Sequence, residues 1–204
     1  MKCLLTVLLS FTLLQGFSQE KLNDSVPAKN LSDSVAARRN ELNKNNLYFL
    51  TGWAAVNIVQ GGISATNAKG SNKYFFQMNT YWNVVNLAVA GVGLYTIKKE
   101  MNKKLTAAEN YKKQNNLEKF LLFNTGLDAT YLTTGLYLNE RGKRLNNETT
   151  EGYGSSLILQ GGFLLVFDII QYLEHRQNGK KLNSLIDKIS LGSTPNGAGL
   201  VYNF

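Results

Sequence analysis

Two prolines, one cysteine and one histidine are all that a chain of 204 residues contains of these types. Each scarcity closes off some chemistry. A lone Cys3 excludes an intrachain disulfide and a thiolate metal site. Structural zinc fails on ligand count. Bis-histidine haem cannot form within one chain whose single histidine is His175. A carboxylate di-metal centre wants Glu-x-x-His pairs on two helices, and the sequence holds none. Gly152-Tyr-Gly-Ser-Ser156 lacks the strand and the glycine pattern of a nucleophile elbow. No metal and no cofactor is expected. Asp128 and Asp168 would be the one carboxyl pair for catalysis, but no cleft or substrate motif accompanies them. The expectation is a protein that is not an enzyme.

Charge is missing in a more telling way. The stretches 45–68 and 74–97, 24 residues each, contain no Asp, Glu, Lys, Arg or His. The stretches 120–139 and 152–173 contain one acid each, Asp128 and Asp168. A hydrocarbon core of about 30 Å is crossed by roughly 20 helical residues, so all four are long enough. Tyr48, Trp53, Tyr74, Tyr95, Tyr153 and Tyr172 lie near their ends, where aromatic rings favour the headgroup level. The expected fold class is all-α: an antiparallel four-helix bundle, transmembrane, with a short C-terminal β-hairpin.

What is present inside these stretches is polar and uncharged, at helical spacing. Asn57 and Gln60 follow Trp53 in the first; Asn79, Asn83 and Asn86 mark the second. Asn124, Asp128 and Tyr131 mark the third; Gln160, Asp168, Gln171 and His175 mark the fourth and its end. Offsets of three and four keep each set on one helix face. An amide or carboxylate facing lipid is costly, so the stripes should face one another. Three readings stay open. The stripes tie helices together by hydrogen bonds, or Asp128, Asp168 and His175 line a proton or solute path, or the helices form a soluble bundle. His175, beside Arg176 at a helix end, fits a C-terminal cap or headgroup contact better than a ligand.

Glycines supply the close-packing candidates: Gly52, Gly61, Gly126, Gly135, Gly161 and Gly162. Gly52 and Gly61 are spaced like Gly126 and Gly135, and Ile58-Val-Gln-Gly-Gly62 recurs as Ile158-Leu-Gln-Gly-Gly162. The two matches imply different pairings. Shared packing chemistry accounts for both, because glycine lets backbones approach where lipid gives no hydrophobic drive.

The expected organisation runs as follows: a signal peptide at 1–18, a polar tether at 19–31, a four-helix membrane domain at 32–176, and a tail at 177–204 with the hairpin. Lys2, the apolar run from Leu4 and the small residues Gly16 and Ser18 carry the signal reading; a short first anchor is the competing one. Ser32, Asp33 or Ser34 would cap the first helix. The strands would flank Thr194-Pro-Asn-Gly197. The aromatic ending at Phe204 resembles the terminal strand of outer-membrane barrels, although nothing else here would build a barrel.

The formal charge of +8 admits nucleic acid or anionic lipid as partners. Export disfavours nucleic acid, so the expected partners are membrane lipids, with anionic headgroups met by the basic segment 98–119. A homo- or hetero-oligomer stays open. The expected location is the bacterial envelope, as an exported multi-pass protein, with the inner membrane favoured over outer membrane or periplasm. One conflict stands. With a cleaved signal, four spans place sixteen basic residues outside and five inside, the reverse of the positive-inside rule.

Trp53-x-x-x-Asn57, Met78-Asn79-x-x-Trp82-x-x-x-Asn86, Asp128-x-x-Tyr131 and Gln160-Gly161-x-x-Leu164-x-x-x-Asp168 together resemble an uncharacterised family of small exported bacterial membrane proteins with four helices. The resemblance spans about residues 45–175 and implies no activity and no catalytic residues. The function expected is a non-enzymatic structural or assembly component. A small-solute or proton transporter with an Asp/Asn/Gln-lined axis is the second reading, and a soluble periplasmic lipid-binding bundle the third.

Overall fold

The computed structural model describes residues 26–186, 189–194 and 197–202, with side chains described over 29–183. Four long helices account for nearly all of it: α1 (Val26–Asn67), α2 (Ser71–Glu100), α3 (Ala107–Arg144) and α4 (Glu148–Ile186). Two strands follow, β1 (Ile189–Thr194) and β2 (Gly197–Tyr202), antiparallel, with Ile189 opposite Tyr202 and Thr194 opposite Gly197. The expected signal at 1–18 and the turn residues Pro195 and Asn196 lie outside the described residues.

The helices outrun their expected limits. α1 starts at Val26, so the second half of the expected 19–31 tether is helical. Pro27 sits in its first turn, where a missing N–H removes no helical bond. Ser32, Asp33 and Ser34 are therefore interior positions and not caps; the Ser34 hydroxyl donates back to the Leu31 carbonyl (2.8 Å). α4 likewise continues past residue 176 to Ile186.

The connections are short and chemically defined. Gly70 turns the chain between α1 and α2 with φ at 63°, a left-handed conformation that glycine adopts without Cβ strain. Lys98 and Lys99 occupy the last turn of α2, where cations meet the negative end of the helix dipole. α3 opens on a capping box: Thr106 accepts from the Glu109 N–H, and Glu109 accepts from the Thr106 N–H at 2.8 Å. Asn146, also left-handed (φ 49°), ends the α3–α4 turn, and Asn147 Oδ1 accepts from the Thr150 N–H.

α3 packs along α4 and α1 along α2, while α4 touches all three other helices. Glycine sets the closeness of the α3–α4 pair. A Cβ at Gly135 would stand 2.7 Å from the Ile158 nitrogen, and one at Gly161 would stand 2.6 Å from the Leu132 nitrogen. Gly154 meets the backbone of Asn139, and Gly152 meets α2 at Ser71. Gly61 plays the same part between α1 and α2, against Thr80 and Phe76. Gly52, Gly126 and Gly162 do not: a Cβ there meets nothing within 4 Å. In each Gly-Gly pair the first residue faces the neighbour and the second, about 100° further round the helix, faces out.

The sides of the bundle are apolar. Val56, Val59, Ile63, Val84, Val92, Leu122, Val166 and Ile170 are all more than half exposed. Among the described residues, one helical segment, Glu148–Asn183, is long and apolar enough by length and composition alone to cross a membrane, with an 18-residue window of mean hydropathy 1.6. Four such segments were expected. Asn, Gln, Thr and Tyr lower the mean hydropathy of the other three helices without adding charge.

Candidate functional site

The interior of the bundle is amide-rich. Asn57, Asn79, Asn83, Asn86, Asp128, Gln160, Asp168 and Gln171 are buried, and so is His175. Asn124 and Tyr131 are partly buried. Gln60 is the misplaced member of the expected set, because its side chain is exposed. On α1 the inward line is Leu50, Ala54, Asn57 and Gly61, which steps by four from Asn57 where the expectation stepped by three.

Four of these residues close a hydrogen-bonded circuit across three helices. Trp53 Nε1 of α1 donates to Gln160 Oε1 of α4 (3.2 Å). Gln160 Nε2 donates to Asn79 Oδ1 of α2. Asn79 Nδ2 donates to Asn57 Oδ1 (2.8 Å), and Asn57 Nδ2 returns to the Trp53 carbonyl (2.8 Å). Each amide gives and accepts once, so the low-dielectric interior strengthens the circuit instead of penalising an orphan. Asn83 continues the line by donating to the Asn79 carbonyl (2.8 Å), and Asn86 donates to Asn83 Oδ1 (3.4 Å). The Trp53 ring stacks on Phe163 with centroids 3.7 Å apart, and Phe49 and Phe167 extend that contact between α1 and α4.

A carboxyl pair lies further along the axis. Asp168 of α4 neighbours Asp128 and Asn124 of α3. Gln171 Nε2 also donates to Asp168 Oδ1 (3.2 Å). Asp128 Oδ2 is buried without a partner. Tyr131, next to Asp128, presents its ring edge-on to Trp82 of α2 (centroids 4.9 Å).

At the end where α1, α3 and α4 extend beyond α2, a second buried cluster forms that the stripe argument did not reach. Arg39 Nη1 donates to the Asn110 carbonyl (3.1 Å), Asn110 Nδ2 donates to Ser32 Oγ (2.9 Å), and Asn178 Nδ2 donates to the Val35 carbonyl (2.9 Å). Gln114 Nε2 donates to the His175 carbonyl (2.7 Å). Burial pulls the Arg39 guanidinium below its ordinary pKa, and the Glu100 carboxylate opposes that. His175 is buried and its ring nitrogens lack hydrogen-bond partners; because α4 runs on to Ile186, it is an interior helix position and not the C-terminal cap or headgroup contact expected. A cleft of about 460 Å³ opens here, lined by Lys29, Asp33, Arg39, Glu100, Lys103 and Lys104 among others. The signal for this cluster was in the sequence: Ser32, Val35, Arg39 and Leu42 step by three, four and three, as the inward residues of a helix do.

Among the described residues no three His, Cys, Asp or Glu side chains group in a way that could hold a metal ion. What the geometry does offer is helix-to-helix hydrogen bonding and one buried acid pair.

Residues 49–169, more than half of the chain, match the Family of unknown function (DUF6992), and the chain belongs to that family. The matched residues take in the whole amide circuit, the carboxyl pair, and Asn110 and Gln114 of the basic-end cluster, while Ser32, Val35, Arg39, His175 and Asn178 of that cluster lie outside the match. No curated protein and no solved structure matches the chain.

Proposed function

We propose that this member of a family of unknown function is a non-enzymatic structural or assembly component, embedded in a membrane of the bacterial cell envelope after export. One observation carries the reading: the inversion of the bundle. Asn83 and Gln160 are 0% exposed while Val92 is 67% exposed. In water such an arrangement wastes apolar surface worth about 25 cal/mol per Å². In lipid it costs nothing on the outside, and the amides inside find partners. The amides spend their hydrogen bonds on one another, which supports a lock between helices over a solvated path. The terminal strand pair belongs to the same reading as a tail outside the bilayer, beside the basic end.

Membrane extraction with alkaline carbonate tests the embedding. The full chain should stay in the pellet. The one native cysteine, Cys3, lies in the expected signal, so single cysteines report cleanly. Val92→Cys and Ile170→Cys should resist a membrane-impermeant maleimide until detergent is added, and Lys103→Cys should react when its side of the membrane is open. Release by carbonate together with full labelling of Val92→Cys would instead make the chain a soluble bundle and remove the proposal.

A further inference from the structure

The Asp128–Asp168 pair raises a question of charge that the packing role leaves open. Both carboxyls are buried, at 4% and 8% exposure, and they neighbour each other on facing helices. Charged carboxylates in such a place need a cation close by. Among the described residues, the helices around the pair do not supply one. The stretches 45–68, 74–97, 120–139 and 152–173 hold no Lys, Arg or His. Along α3 the nearest base, Lys119, is about 13 Å from Asp128, and along α4 His175 is about 10 Å from Asp168, at 1.5 Å of rise per residue. Lys44 of α1 is exposed, with its ammonium over the Tyr48 ring (5.8 Å).

The immediate surroundings are oxygen-rich and neutral. α3 gives Asn124 and Tyr131; α4 gives Gln171, whose Nε2 is already spent on Asp168. The first two helices bring no titratable side chain except tyrosine over 45–68 and 74–97. Asp128 Oδ2 accepts nothing, although it is fully enclosed. Two neighbouring carboxyls can bond to each other only when one carries a hydrogen, because an ionised carboxylate only accepts. An unpartnered carboxylate oxygen, a second carboxyl in contact and no fixed cation together describe a place that is completed from solution.

We infer that the Asp128–Asp168 pair is a binding site for one small positive charge drawn from solution, a proton or a sodium-sized monovalent cation held by carboxylate and amide oxygens. This goes beyond the packing role, since a bundle that is only a scaffold needs no exchangeable ion.

The test uses the full chain purified in detergent, at constant ionic strength with choline chloride as balance. If the occupant is a metal cation, sodium chloride should raise Tm saturably, by roughly 5 °C when the site fills, and more at pH 8 than at pH 6. Asp128→Asn and Asp168→Asn should each abolish that rise. If the occupant is a proton, sodium should have no effect, but the infrared spectrum at pH 7 should carry a protonated carboxyl band that either substitution removes. The wild-type measurements stand even where one variant fails to fold. A wild type with neither a sodium response nor a protonated carboxyl band overturns the inference. Carbonate extraction would be untouched by that outcome, so the site and the membrane reading fail separately.

Discussion

The two ends of α4 pass through different kinds of interior. Around residues 174–183 the helix packs in a cluster that mixes Val35, Leu42, Ala107 and Leu182 with Ser32, Arg39, Asn110, Gln114 and Asn178, all buried. Around residues 156–171 it packs against Asn57, Asn79, Asn83 and Asp128, with few apolar side chains fully enclosed. Buried polar groups therefore do not separate the two regions, since both have them. What separates them is the outer face: Lys, Arg and Glu over the first, Val, Ile, Leu and Phe over the second. The proposed membrane reading rests on the exterior, while the interior shows how the helices are held in register.

The comparison breaks most sharply at the apolar anchor of the basic end. Leu182→Ala should cost about 2–5 kcal/mol of stability, the usual range for truncating an enclosed leucine. Val92→Ala, on the apolar sleeve of the other region, should leave the unfolding free energy of the detergent-solubilised protein unchanged. Equal losses at both sites would mean that the sleeve is itself packed against something. The next effect belongs to the α3–α4 seam. Gly161→Ala drives a methyl against the Leu132 backbone, and overpacking of this kind costs about 1–3 kcal/mol. Gly162→Ala enters open space, and replacing a helical glycine there should be neutral or stabilising. Chemical denaturation of the two variants side by side measures the difference, and a reversed order would misassign the seam.

The amide circuit gives the third effect. Gln160→Leu leaves Asn79 Oδ1 without its donor and Trp53 Nε1 without its acceptor, at about 1–3 kcal/mol for orphaned buried groups. Gln60→Leu, at an exposed position, should change nothing. Here the limits of the sequence show themselves. Asn79, Asn83, Asn86, Gln160 and Asp168 were legible because runs of charge-free residues made every amide stand out, and a period of 3.6 put them on one face. Gln60 was misread because three and four are both helical steps from Asn57, and only the neighbour at Thr80 decides that Gly61 is the inward one. The glycine pairs fail for the same reason, since composition marks a close approach and rotation decides which glycine makes it. The basic-end cluster was missed because charged residues read as solvated, and Arg39 is buried by helices that converge from 71 residues away in the chain.

The smallest effect concerns how α3 begins, and it sharpens the boundary between the two regions. Thr106 and Glu109 cap the helix at the exposed end, where ordinary aqueous rules should hold. The backbone N–H and then the hydroxyl of Thr106 hold the Glu109 carboxyl below its ordinary value of 4.5. A depressed carboxyl contributes its stabilisation above that value and loses it as pH falls through the folded-state value. The first turn of α3 should therefore lose amide protection, measured against the intrinsic exchange rate at each pH, as the solution is acidified below about pH 4.5, while the amides of residues 124–135 stay protected. Thr106→Ala should remove about 1 kcal/mol and abolish that local pH dependence. If acidification instead loosens residues 124–135 first, the boundary between water-facing and axis-facing helix lies closer to Thr106 than the exposed faces place it.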